Sequence, residues 1–307
     1  NIRGSTGLEV PLMTLELRSG NYHAEIRLRG AGLNFLRYQD RDLVDRYIEE
    51  DEPHRYRGVV LAPWPNRIRD GRYTFNQKEF ILHKNENNRH NALHGLVFDV
   101  DWNIQTKVTN SISLTTLIHA NDGYPTDLEI IARYTLSNEG LECKVDCKNL
   151  GSQSAPYGVS IHPYLIADKS SKVDQCVLTM PSHEYIEVDL DRLLPVGVSN
   201  VPNNFDFNAG KLIGPDFIDH AFLIDQSKKD QHVTLVAPSG KGVKMTYSEA
   251  AKWIQIHTAD REGGADSRTC LAVEPMSCPP DAFNSGVDVS VLSVGETHTI
   301  SWQISAI

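Results

Sequence analysis

Residues 128–148 read LEIIARYTLSNEGLECKVDCK. Leu128, Ile130, Ala132, Tyr134 and Leu136 recur every second residue, and so do Leu141, Cys143, Val145 and Cys147. Between the two runs stands Asn138-Glu139-Gly140, a turn signal. A period of two places one apolar face on each segment, which defines a strand and excludes an amphipathic helix. The stretch therefore predicts two strands joined by a tight turn. Cys143 and Cys147 lie four residues apart on one strand, roughly 13 Å, too far for a disulfide, so they read as buried thiols.

The same period recurs outward in both directions. Tyr22, Ala24, Ile26 and Leu28 alternate against His23, Glu25 and Arg27. Ile112, Leu114, Thr116 and Ile118 share a face, as do Ile300, Trp302 and Ile304. Asp70-Gly71, Asn121-Asp122-Gly123 and Ser239-Gly240 punctuate the runs. Many short strands with regular turns predict an all-β chain, a single large antiparallel β-sandwich. Residues 33–50 carry Leu36, Leu43, Val44, Tyr47 and Ile48 at loose helical spacing, though Asp40-Arg41-Asp42 reads equally as a hairpin turn. Residues 200–220, with Pro202, Gly210, Gly214 and Pro215, read as an extended loop. No repeat or linker marks a boundary, so residues 1–307 read as one domain.

The chain has 307 residues and a formal net charge of -10. An acidic chain has no basic excess with which to neutralise phosphates, which argues against nucleic-acid binding. No run of ~20 apolar residues is present to span a membrane as a helix. The first residues, NIRGSTGLEVPLM, lack the apolar core of a signal peptide, and the chain begins at Asn1, which leaves room for residues upstream. Five cysteines, an odd number without a C-x-x-C pair, point to a reducing compartment and a cytoplasmic location.

Four short pieces carry acid–base groups among apolar, strand-like residues: Asn66-Arg67, Leu93-His94-Gly95, His162-Pro163-Tyr164 and Val273-Glu274-Pro275. Pro63 and Pro65 break regular pairing around Trp64, which puts Asn66 and Arg67 in an irregular segment. Arg67 can give two parallel hydrogen bonds to neighbouring oxygens, although loop arginines are more often simply solvated. His94 reads as a core histidine satisfied by a carbonyl or as a functional one. His90 and His94 have i,i+4 spacing, but Asn-rich neighbours make a poor helix and no third ligand follows, so no metal site is expected. Pro163 holds His162 extended at a strand end, where an imidazole can be aimed as a general acid. Glu274 ends an apolar strand; burial of a carboxylate is costly and raises its pKa, which suits a base. Asp219, in FIDHAFLI, reads from its neighbours as a turn residue capping the next strand. Hydrolase, dinucleotide, phosphate-loop and metalloprotease motifs are missing, which leaves acid–base chemistry without a cofactor, or binding.

These pieces in order, PNRIRDGRYTF, NALHGL, DGYPTDLEI, HPY, FIDHAF and VEPMSCPPDAF, resemble the aldose 1-epimerase (galactose mutarotase) family over nearly the whole chain. The resemblance implies a large β-sandwich that interconverts the α and β anomers of a free aldohexose. It places Glu274 as catalytic base and His162 as catalytic acid. It makes Asn66, Arg67, His94 and Asp219 sugar-binding residues, with Tyr164 and Tyr124 lining the pocket. Trp64 or Tyr124 is the expected aromatic face for the sugar. A small-molecule sugar is the implied partner, with no metal or cofactor, in a monomer or homodimer. The departures PWPNRI and His162-Pro163 resemble the broader epimerase-related group, and leave two alternatives. One is a hexose-6-phosphate 1-epimerase drawing on Arg69, Arg72, Lys84 and Arg89. The other is a carbohydrate-binding protein without catalysis.

Overall fold

In the computed structural model, which describes residues 14–46, 54–227, 232–261 and 263–307, the alternating runs form the strands Leu128–Ser137 and Gly140–Asn149. They pair antiparallel from Leu128↔Asn149 to Ser137↔Gly140, which joins them through the turn at Asn138-Glu139-Gly140. Cys143 and Cys147 are buried and unbridged, like Cys176, Cys270 and Cys278.

This hairpin sits inside a sheet of nine strands among the described residues, running from Asn103–Val108 at one edge to Lys211–Leu212 at the other. A six-stranded sheet runs in the order Tyr164–Leu165, Leu271–Met276, Trp253–His257, Asp219–Ile224, Ser182–Val188, Pro195–Asn200. A four-stranded sheet from Thr14–Ser19 to Arg41–Asp42 and several two-stranded pairs complete the fold. The pairings within these sheets are antiparallel, so the expected all-β sandwich is what the chain forms.

The two large sheets share one apolar core. Ile130, Val145 and Ile300 of the nine-stranded sheet cluster with Phe222, Ile254, Ile256 and Val273 of the six-stranded one. Each such side chain contributes about 1.5 to 3 kcal/mol by leaving water. Because strand side chains alternate, the neighbours of those core residues must point the other way. Asp219, Gln255, His257 and Glu274 therefore stand on the opposite face of the six-stranded sheet. Ala221, Trp253, Met276 and Ile186 form a separate apolar cluster further along that face.

Of the two readings of residues 33–50, the hairpin turn at Asp40-Arg41-Asp42 is what residues 33–46 form, not a helix; residues 47–50, with Tyr47 and Ile48, lie outside the described residues. Leu33–Tyr38 and Arg41–Asp42 form a hairpin, and the Leu43 amide donates to the Leu36 carbonyl at 2.8 Å. The apparent spacing comes from two strands that place Leu36 and Leu43 side by side across a turn. Residues 200–220 are largely irregular, with a 3-10 turn at Asn203–Phe205 and the short edge strand Lys211–Leu212.

Candidate active site

Glu274 and His162 meet at the floor of a cleft of about 400 Å³ on the outer face of the six-stranded sheet. Glu274 comes from the middle of Leu271–Met276, and His162 from the break between Ser160–Ile161 and Tyr164–Leu165. The backbone places His162 firmly: its carbonyl accepts from the Gly58 amide at 2.8 Å, and its amide donates to the Val59 carbonyl at 3.2 Å. His162 Nε2 lies 3.2 Å from Glu274 Oε1, and the side chains are only 7% and 2% exposed. Neither His162 Nδ1 nor Glu274 Oε2 has a hydrogen-bond partner among the described residues.

Burial disfavours charge on both groups. Burial and then the neighbouring His257 draw the His162 imidazole down to about 3. Burial and then Asp219 push the Glu274 carboxyl well above its ordinary value, while Arg67 pulls it back. The two groups therefore hold one proton between them, and desolvation favours the arrangement in which both are neutral.

Arg67 and His94 are brought to this pair by a two-residue ladder. Arg67–Ile68 pairs with Ala92–Leu93 in the register Arg67↔Leu93. The Asn85 side chain extends that ladder, accepting from the Leu93 amide at 2.7 Å and donating to its carbonyl at 3.0 Å. Asn66 and His94 then lock each other. The His94 amide donates to the Asn66 carbonyl at 2.9 Å, and the Asn66 amide donates to His94 Nδ1 at 3.2 Å. Both residues are left-handed, with φ of 55° and 65°. Such a conformation costs about 1 to 3 kcal/mol away from glycine and clusters at functional sites. Gly95, at φ 81°, is the position where a Cβ has no room: it would sit 2.1 Å from the Ala62 carbonyl oxygen. The neutral His94 ring carries its proton on Nε2, since Nδ1 is an acceptor. Burial, then His162 and Arg67, hold its pKa well down.

Arg67 is buried, with its Nε and Nη2 edge on both oxygens of Glu86 at 2.9 to 3.2 Å. Asp219 begins its strand, and its Oδ1 accepts from Gln255 Nε2 at 2.6 Å. Gln255 lies directly across from Glu274 in the ladder. His162 has the Tyr164 ring on one side at 4.9 Å and the Tyr56 ring at 6.3 Å, both near parallel.

Of the residues singled out from sequence, Asn66, Arg67, His94, His162, Tyr164, Asp219 and Glu274 all line this cleft. Tyr124 does not. It is fully buried in the core, where its hydroxyl donates to the Pro156 carbonyl at 2.7 Å. Trp64 is likewise a core residue, packed edge-on against Phe283. The aromatic surfaces of the cleft are instead Tyr56, Tyr164 and Phe217, the last 43% exposed. His220 points away from the cleft onto Tyr185 and Phe205. His90 is exposed while His94 is buried, and a turn and strand rather than a helix connect them. Glu86, Gln255, His257 and Arg261 also line or support the cleft and were not singled out from sequence. For Gln255 and His257 a signal was available: in WIQIHTAD they alternate on the strand that pairs with the one carrying Glu274.

A cleft that offers hydrogen-bond donors, aromatic faces and a buried carboxylate–imidazole pair can hold a polyhydroxylated ligand and move a proton on it. The chain belongs to the aldose 1-epimerase family, whose model matches residues 13–305. It is 34% identical over 301 residues to YihR of Escherichia coli K12, an uncharacterized protein, covering 97% of this chain and 95% of that one. It is 27% identical to the galactose mutarotase of Sus scrofa, over 85% of this chain and 81% of that enzyme. Among solved structures, it superposes on a putative aldose 1-epimerase of E. coli K12 with a TM-score of 0.82. The superposition covers 96% of this chain and 99% of that one at 19% identity, a likeness of fold.

Proposed function

We propose that this protein is an aldose 1-epimerase that interconverts the α and β anomers of a free aldohexose. The 3.2 Å contact between His162 and Glu274 carries the reading. In the anomeric carbon's hydroxyl and ring oxygen a pyranose presents two neighbouring atoms, which need a base and an acid side by side. The pair's single proton is the number this reaction needs.

Glu274, as carboxylate, takes the proton of the anomeric hydroxyl, and His162, as imidazolium, gives one to the ring oxygen. The bond between C1 and the ring oxygen breaks, leaving the open-chain aldehyde. Rotation about C1–C2 presents the other carbonyl face, and closure with the roles reversed gives the other anomer. Arg67 favours the carboxylate form of Glu274 before opening, and Asp219 favours the imidazolium form of His162. Reaching the charged tautomer from the resting neutral pair works against burial, and the return to the neutral form on opening recovers that cost. Arg67, His94, Asn66 and Asp219 hold the sugar's oxygens, with Tyr56 and Phe217 as its apolar walls.

A second reading, an aldohexose with an anionic substituent such as phosphate, is favoured by one observation. Arg261 lines the cleft with its Nη1 paired to Asp266, and its Nη2 has no hydrogen-bond partner among the described residues. Arg55 and Arg89 line the cleft too, whereas Arg69, Arg72 and Lys84 do not. Polarimetry of freshly dissolved α-glucose, α-galactose and α-glucose 6-phosphate tests both readings. Acceleration of the neutral sugars supports the first, acceleration confined to the phosphorylated one the second. No acceleration of any of them rejects both.

A further inference from the structure

We propose that Glu86 is a positioning residue for this reaction: its carboxylate aims the Arg67 guanidinium at the sugar. The proposal rests on the reading of the cleft as an epimerase site. Glu86 is buried in the turn between the segments that carry Arg67 and His94, and its amide donates to the Asn91 carbonyl at 3.2 Å. Its two oxygens hold Arg67 Nε at 3.2 and 3.0 Å and Nη2 at 2.9 Å, a paired contact that fixes the plane of the guanidinium. Arg67 Nη1 keeps only a long 3.4 Å contact to Asn66, so this end is left for the cleft.

Glu86 is itself braced. Asn91 Nδ2 donates to it at 3.0 Å and Arg89 Nη1 at 3.2 Å. Asn91 is tied in turn to Arg192, whose Nη2 donates to Asn91 Oδ1 at 2.9 Å and to Asp70 Oδ1 at 2.7 Å. The residue next to Arg192, Leu193, is a wall of the cleft. A single carboxylate thus sets the orientation of Arg67 and links it to the loop that closes one side of the cleft. An arginine without such a partner samples many rotamers, and ordering it on binding is costly.

The test is a double-mutant cycle with Glu86→Gln and Arg67→Ala, read by kcat and KM for mutarotation, together with hydrogen exchange at Arg67 Nε–H by NMR. Glu86→Gln is expected to lower kcat/KM 10- to 100-fold, the scale of a misaimed binding group. It is expected to speed exchange at Arg67 Nε–H. In the Arg67→Ala background it should cost less than 3-fold, because a residue acting through Arg67 has nothing left to aim. A full loss in both backgrounds, or Arg67 exchange unchanged by Glu86→Gln, overturns the proposal. If Glu86→Gln does not fold, Asn91→Ser loosens Glu86 from outside the cleft and must show the same signs at smaller size. Wild-type protein without mutarotation of any sugar tested rejects the epimerase reading. The exchange measurement still decides whether Glu86 orders Arg67.

Discussion

Replacing Glu274 with glutamine keeps the side chain's length and removes the group proposed to accept the anomeric proton. The structure sets the size of the effect. The carboxylate is 2% exposed, and its Oε1 lies on His162 while its Oε2 has no partner among the described residues. Water therefore has little access to act in its place. Loss of a general base costs 100- to 10,000-fold, about 2.7 to 5.5 kcal/mol of transition-state stabilisation. Burial already holds the resting carboxyl toward its neutral form, so a neutral amide in the same place should change stability by less than about 1 kcal/mol. Sugar affinity should stay within a few-fold, since Arg67, His94 and Asp219 remain. The assay is polarimetry corrected for spontaneous mutarotation, with affinity by calorimetry and Tm by thermal scan. Turnover within 5-fold of wild type, in a folded variant that binds sugar, would falsify the assignment of Glu274 as base.

Activity should be flat through pH ~6.5, where a free histidine titrates. The one-proton pair persists from about 3, where His162 takes a second proton, up to the raised pKa of Glu274, above which the shared proton leaves and turnover falls. An acid limb near 6.5 in a kcat/KM profile would contradict the shared-proton pair. Arg67→Ala should raise KM as well as lower kcat, because it removes donors present in ground and transition states alike; a pure kcat effect would place Arg67 outside sugar binding. Gly95→Ala should destabilise the protein by about 2 kcal/mol or more, since its Cβ would strike Ala62 and its φ of 81° disfavours a side chain. An unchanged Tm would refute that close approach. The proposal that the chain is one folding unit, suggested by an apolar cluster that runs from Leu15 to Ile304, expects a single endotherm in calorimetry, and two separable transitions would reject it.

The strands were legible where one face alone is buried. Residues 128–148 alternate because their sheet has a core side and a solvent side, and nothing local competes with that pattern. Residues 33–46 read two ways, and the hairpin reading holds, because a hairpin with Leu36 and Leu43 facing each other reproduces helical spacing over a short window. Glu274 and His162 stood out because ionisable groups amid apolar strand residues need a physical reason. Glu86 was hidden for the opposite cause: HKNENNRHN is polar throughout, and the donors Arg67, Asn91 and Arg89 gather around it only in the fold. Tyr124 was misplaced because the resemblance at DGYPTDLEI carries a position but not a side-chain direction, and the chain tucks the ring into the core.

The Asn66–His94 lock gives the cleft a fixed polarity at one point. With Nδ1 engaged by the Asn66 amide and the ring held neutral, Nε2 can only donate. On the proposed function, the position therefore reads the sugar for a lone pair, not for a proton. Any hydroxyl or ether oxygen of the right stereochemistry satisfies it, whereas a deoxygenated carbon strands a buried donor at about 1 to 3 kcal/mol. An inverted hydroxyl does the same. On the proposed function, a backbone amide on the directly paired neighbouring segment thus acts as a stereochemical gauge, one carried by the main chain and not by the Asn66 side chain.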